Sequence, residues 1–224
     1  MFKLENFITL IRDYWKVFLI EGVSYTLILS AIAVFFGAII GTVIAFGRLS
    51  KSKILCFLCT AYTEILRDTP LLLQLYFFVL IVPKAFSSII NINTFQAVAL
   101  SLAVNSGAYV SEIVRSGVQA VDIGQTEAAR SLGMNSQQTM LKVVLPQAVK
   151  NILPALGSEF VSIMKETSMA STFFVGEIMT QYLKVKGATY WALETLIIVA
   201  IIYFVLGFGL SKLVGLYERR LNRK

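Results

Sequence analysis

The residues of this 224-residue chain that could do chemistry are ionised groups set within apolar sequence. Glu64, Arg67 and Asp68 stand at i, i+3 and i+4, a spacing that places all three on one helical face. Pro70 comes two residues later. It supplies no backbone donor, so the Leu66 carbonyl four residues back loses its helical partner. Further along, Glu159 and Glu166 are seven residues apart and share a face with Ser162 near it. Lys165 points about 120° away from Glu159. Such groups are costly in apolar surroundings unless they face a bundle interior or a wet cavity. Glu159 has no cation one turn away in sequence and is the preferred acidic contact for a ligand. Lys165 and Glu166 suit a gate or an ion pair across a subunit interface. Arg67 is expected to pair with Asp68 or Glu64 and hold the break together, while Glu64 is open to packing or to a translocation path. Gln74 and Asn105 complete the candidate path. The acids Glu64, Asp68, Glu159, Glu166 and Glu194 outnumber Arg67 and Lys165, a balance that favours a cationic ligand. No nucleophile beside a base is found, so no residue is assigned to catalysis. The chain has no histidine, which excludes a histidine proton relay or a histidine metal site. Cys56-x-x-Cys59 lacks the further ligands of a structural zinc site and reads as two inert thiols. No G-x-x-x-x-G-K-[ST] occurs, so ATP phosphates are not cradled by that route.

The elements that must position these groups are long apolar runs. Hydrophobic residues make up 57% of the chain and charged residues 15%, against roughly 25% in a soluble domain. Mean hydropathy is +0.75. A helix crossing a bilayer needs about 20 mainly apolar residues, and residues 17–46, 54–82, 95–114 and 192–210 each supply them. A fifth crossing at 152–174 is more polar and is accepted because the loop charges require it. The expected fold is an all-α membrane protein of about five transmembrane helices, a single domain over residues 1–224. Residues 1–16 place Leu4, Phe7, Ile8 and Ile11 on a helical period and end in Tyr14 and Trp15, which suits an amphipathic helix in the membrane interface, a frayed tail being the alternative. With the N-terminus outside and five crossings, twelve of the 20 lysines and arginines fall on inner segments and six on outer ones. Cytoplasmic loops favour these cations, so the C-terminus is expected in the cytoplasm. The net charge of +7 is then inner-face membrane chemistry, and no nucleic-acid motif accompanies it.

One connection, residues 115–150, is long for a link between packed helices and is not low-complexity. Gln125 to Leu132 are mostly good helix formers, and Gly133 is placed to end that helix in a left-handed turn. Ser136 is expected to cap a second short helix that Pro146 interrupts. Together they predict a compact knob projecting from the membrane.

Glu127-Ala128-Ala129, three residues, Gly133, nine residues, then Val143-x-Leu145-Pro146 resembles the EAA loop of ABC-importer permeases, with Val143 where that family usually has isoleucine. Glu64-Ile-Leu-Arg67-Asp-Thr69-Pro70-Leu-Leu-Leu-Gln74 is similar to the polar amino acid branch of the family. So are Gly107-Ala-Tyr109-x-x-Glu112-x-x-Arg115 with Gly124-Gln125, and Lys165-Glu166-Thr-Ser168. The resemblance implies a permease in a bacterial inner membrane, with Gln125, Glu127, Ala128, Ala129, Arg130, Leu132 and Gly133 docking a coupling helix onto separate ABC ATPase subunits. It implies that ATP and magnesium bind those subunits and no cofactor binds this chain. It also implies a second permease copy or paralogue, an extracytoplasmic substrate-binding protein and an amino acid substrate. An ion-coupled secondary amino acid transporter using Glu64 and Glu159 is the alternative, and it leaves the coupling loop without a purpose.

Overall fold

A computed structural model describes residues 3–221. The described residues fold into helices with no strand among them. The first two helices, α1 (Leu4–Lys16) and α2 (Val23–Arg48), join through a π turn at Val17–Gly22, so that Leu4–Arg48 is one 45-residue helix. The amphipathic N-terminal segment is therefore helical and continuous with the first apolar run. Its Leu10 is buried with Phe18, Ile178, Val185 and Val199. Its start is tied down as well, because the Lys3 amide and the Asn6 side chain donate to Glu194 at 3.0 and 3.1 Å.

The run at 54–82 is not one straight span. It forms α3 (Lys53–Asp68) and α4 (Leu71–Leu80), with one further turn, α5 (Val82–Ala85), and a bend of 106° at Pro70. Next comes α6 (Thr94–Gln119), begun by an Asn93–Gln96 capping box, in which each side chain accepts from the other's backbone amide. This helix is the centre of the molecule, packing on α2, α3 and α4 and on the later helix α9. Its contact with α2 is close. A Cβ on Gly41 would fall 2.6 Å from the Gly107 carbonyl oxygen and 2.8 Å from the Ser111 nitrogen, so only glycine allows the two backbones this approach.

The knob consists of α7 (Ile123–Ser131) and α8 (Ser136–Thr139). Pro146 does not interrupt the helix in which it stands. A π turn at Met140–Val144 widens that helix where the proline ring needs room, and α9 (Leu145–Glu166) continues from it. A 3₁₀ segment at Thr167–Phe173 leads to α10 (Ile178–Thr189) and then α11 (Ala192–Leu221). Among the described residues three helices are long and apolar enough to cross a membrane: Leu4–Arg48, Thr94–Gln119 and Ala192–Arg220. The bent α3–α4 pair makes a fourth if it counts as one span. At 22 residues α9 is about 33 Å long, enough to cross, but its composition keeps it out of that set. Large apolar side chains such as Phe35, Val43 and Phe204 lie mostly exposed on the outside, as lipid-facing residues do.

Candidate functional site

The site is organised along one stripe of α6. Asn105, Tyr109 and Glu112 stand at i, i+4 and i+7, with Ser106 alongside. Each meets a group from the bent helix or from α9.

At the level of Asn105 the stripe repairs the break. The Leu66 carbonyl released by Pro70 accepts from Gln74 Nε2 at 2.7 Å and from Asn105 Nδ2 at 3.4 Å. Gln74 Nε2 also reaches the Thr69 carbonyl and hydroxyl oxygens at 3.1 and 2.9 Å, and Gln74 Oε1 accepts from Asn105 Nδ2 at 2.9 Å. Both amides are buried. A bend of this size leaves backbone groups that hydrocarbon cannot satisfy, and these two side chains satisfy them. Asn105 Oδ1 is left buried without a partner.

One position on, Ser106 Oγ donates to Glu159 Oε1 at 3.1 Å. Glu159 is buried, and among the described residues no lysine or arginine nitrogen lies within 4 Å of it. Tyr109 sits half-buried one turn further, with the Arg67 guanidinium 5.5 Å from its ring centroid. Arg67 is thus one expected path residue that the fold brings onto this stripe, and Glu159 is another. At the end of the stripe Glu112 collects guanidiniums. Arg48 Nη1 donates to it at 2.8 Å, Arg115 clasps both its oxygens, and Arg67 stands off at 3.9 Å. Arg67 thus contacts α6; the ion pair expected with Asp68 or Glu64 is not made. α3 packs on α6, which offers Arg67 partners on another helix, and a spacing rule within one helix does not capture that.

Not every expected residue joins. Glu64 and Asp68 are exposed on α3, Lys165 is exposed on α9, and Glu166 is half-buried. Glu194 serves the N-terminus instead of a path. Among residues not singled out from sequence, Glu177 is fully buried and caps α10, accepting from the amides of Met179 and Thr180 and from the Thr180 and Tyr203 hydroxyls. An acid just before an apolar helical run is the signal that could have found it. Arg48, at the end of the first long run, carried no local sign that Glu112 would be its partner. No group of three or more acidic, cysteine or histidine side chains that could hold a metal occurs among the described residues.

The knob is a second constellation. Asp122 Oδ1 caps α7 by accepting from the Gly124 amide at 2.7 Å. At the other end Gly133 takes φ +84°, and the Gly133 and Met134 amides donate to the Arg130 and Ala129 carbonyls at 3.0 and 3.1 Å. These are the paired bonds of a Schellman turn. Asn135, not Ser136, caps α8, because Gln138 stands three residues after it and completes a reciprocal capping box. Gln147 donates to Gln125 and ties the knob to the helix after the π turn. Ala129 is buried beneath α7, whereas Gln125, Glu127, Ala128, Arg130 and Leu132 are exposed, Leu132 at 85%.

Residues 33–223 match the protein family described as binding-protein-dependent transport system inner membrane component. A Rickettsia bellii permease protein named for a glutamine transport system is 38% identical over 91% of this chain and 93% of its own length. The arginine transport system permease protein ArtQ of Bacillus subtilis is 36% identical over 92% of this chain and 93% of its own. Among solved structures, an amino acid ABC transporter crystallised with histidines superposes with a TM-score of 0.89 at 42% identity, covering 96% of this chain and 98% of that one.

Proposed function

The chain belongs to the binding-protein-dependent transport system inner membrane component family, and from that premise we propose that it is the path-forming permease of an ATP-driven importer of polar, in particular basic, amino acids. Its domain is the whole span 1–224, with residues 1–16 at the membrane interface and 115–150 as the coupling loop. The observation that carries the reading is Glu159, a buried carboxylate held by one hydroxyl from Ser106, one turn along α6 from the Tyr109 ring that Arg67 covers. An under-compensated buried acid is expensive unless a cation visits it. The ammonium or guanidinium of a basic amino acid is such a visitor. Relatives named for glutamine and arginine transport support the class.

Half a path lines half a channel, so a second permease copy or paralogue completes it. The exposed row Gln125, Glu127, Ala128, Arg130 and Leu132, set by the Gly133 turn, docks on ABC ATPase subunits. Those subunits bind ATP and magnesium and do the hydrolysis, and their closure moves the knob. The knob lies in the cytoplasm, the N-terminus outside, and an extracytoplasmic binding protein delivers substrate. An ion-coupled transporter is not favoured, since the family works with binding proteins and the knob would have no role. The test is reconstitution. Tagged permease should co-purify with an ATPase through the knob, and vesicles should accumulate arginine only with ATP. Accumulation driven by a proton or sodium gradient without ATP would overturn the reading.

A further inference from the structure

Arg67 is only loosely committed among the guanidiniums near Glu112. Its link to Glu112 is 3.9 Å long, and that carboxylate is already held by Arg48 at 2.8 Å and by Arg115. Its own side chain is 39% exposed, against 12% for Arg48. What it does cover is the Tyr109 ring, at 5.5 Å. Planar guanidinium over an aromatic face is a favourable contact. Tyr109 stands one turn from Ser106, whose hydroxyl holds Glu159. A cationic ligand head that reached Glu159 would therefore meet this ring next, and would find a guanidinium already on it.

We propose that Arg67 is a resident stand-in for the substrate's cationic group, its guanidinium lying over Tyr109 and swinging toward Glu112 when a cationic amino acid takes its place on the ring. The inference rests on the reading of Glu159 as a substrate contact and adds an internal competitor for the ring beside it. Three features support the exchange. The α3 end that carries Arg67 is free of helical continuation because Pro70 stops it. The Glu112 oxygen to which Arg67 would move is 3.9 Å away, so the swing is short. Finally, an arginine side chain and a ligand guanidinium are the same chemical group, so one site fits both. The substrate must then bind by displacing an internal competitor, and removing that competitor should tighten binding of a cation and leave a neutral ligand of the same shape alone.

The experiment uses the assembled transporter, this permease with its ATPase subunits in detergent, and measures direct binding of L-arginine and of L-citrulline. Citrulline has nearly the shape of arginine without its charge. Arg67→Gln is expected to tighten arginine binding by roughly tenfold, the scale of one cation–π contact, with citrulline unchanged. Tyr109→Leu should weaken arginine by a similar factor and spare citrulline. In the Tyr109→Leu background Arg67→Gln should have no further effect, because the contested ring is gone. Arg67→Lys, a point charge that stacks less well, should fall between wild type and Arg67→Gln, and it keeps the test available if Arg67→Gln does not assemble. Glu159→Gln separates the two levels. If Glu159→Gln destroys the preference for arginine while Arg67→Gln leaves arginine binding unchanged or weaker, the stand-in role is overturned and the Glu159 site survives. If Glu159→Gln also changes nothing in an assembled complex, or if wild type binds neither ligand, the site reading falls and the stand-in with it.

Discussion

Replacing Gln74 by leucine tests whether the bend at Pro70 is held by side-chain amides. The substitution keeps the volume and apolar burial but removes three donor contacts, to the Leu66 carbonyl at 2.7 Å and to the two Thr69 oxygens at 3.1 and 2.9 Å. It also removes the acceptor for Asn105 Nδ2. The Thr69 hydroxyl keeps its own bond to the Ile65 carbonyl, so it is not orphaned. The Leu66 carbonyl keeps only the 3.4 Å contact from Asn105. Leaving a buried polar group unsatisfied costs about 1–3 kcal/mol, and between one and two groups are affected, so a net loss of about 2–4 kcal/mol is expected. At about 2–4 °C per kcal/mol for a chain of this size, the thermal midpoint of the purified transporter should fall by roughly 5–10 °C. Asn105→Leu should cost less, since it loses one good bond and one long one. The double variant should cost less than the two together, because they share the 2.9 Å bond. Lost transport with an unchanged midpoint would refute this account and assign Gln74 to the ligand instead of the bend.

Gly133→Val should leave membrane insertion intact and strip substrate-stimulated ATP hydrolysis, because an L residue in the left-handed region costs about 1–2 kcal/mol. Nothing lies within 4 Å of the added Cβ, so the effect is the turn alone, and Gly133→Asn should keep most of the coupling. Full stimulation in the valine variant would place the coupling turn elsewhere. Glu112→Gln should destabilise by about 2–3 kcal/mol because it strands Arg48 and Arg115, whereas Arg48→Gln alone should cost less; equal midpoints for both variants would count against that ranking. In a background lacking Cys56 and Cys59, single cysteines at 117–146 should resist an impermeant reagent in intact cells and those at 83–93 should react. Labelling of 117–146 from outside would reverse the orientation.

What could be read from sequence was local, and what could not was the choice of distant partners. Pro70 and its orphaned Leu66 carbonyl come from one residue type, and so does the left-handed turn at Gly133. The family was legible for the same reason, since the spacing from Glu127 through Gly133 to Pro146 lies in one loop. The cap of α8 was also legible in principle. Asn135 and Ser136 are both capable caps, and only Asn135 has a glutamine three residues on whose side chain closes the box. Arg67 is different. Within α3 its neighbours are Glu64 and Asp68, and no rule along one helix says that the packing of α3 on α6 will give it Tyr109 and Glu112 instead. Glu194 misled similarly, because an acid in the first turn of an apolar helix looks like a path residue until the N-terminus arrives to use it. Pro146 misled because the π turn before it has no sequence signature that overrides proline's usual effect.

The distribution of compensation among the acids separates structure from transport. Glu112 holds two guanidiniums closely and a third at a distance, and Glu177 accepts from two amides and two hydroxyls. Glu177 is fully occupied by the fold and Glu112 is committed to the chain's own guanidiniums, so neither is open to a ligand. Glu159, buried by its own chain, receives one hydroxyl. Meanwhile Glu64 and Asp68 lie exposed on α3, and Lys165 lies exposed on α9 itself. Ionised groups cannot face hydrocarbon at acceptable cost, so these must meet water or protein. The remaining outer surface, with Phe35, Val43 and Phe204, is suited to lipid. On the proposed function these charged groups mark surface that a permease partner or a wet path would cover, and Glu159 is the one acid of the three whose compensation the fold leaves incomplete.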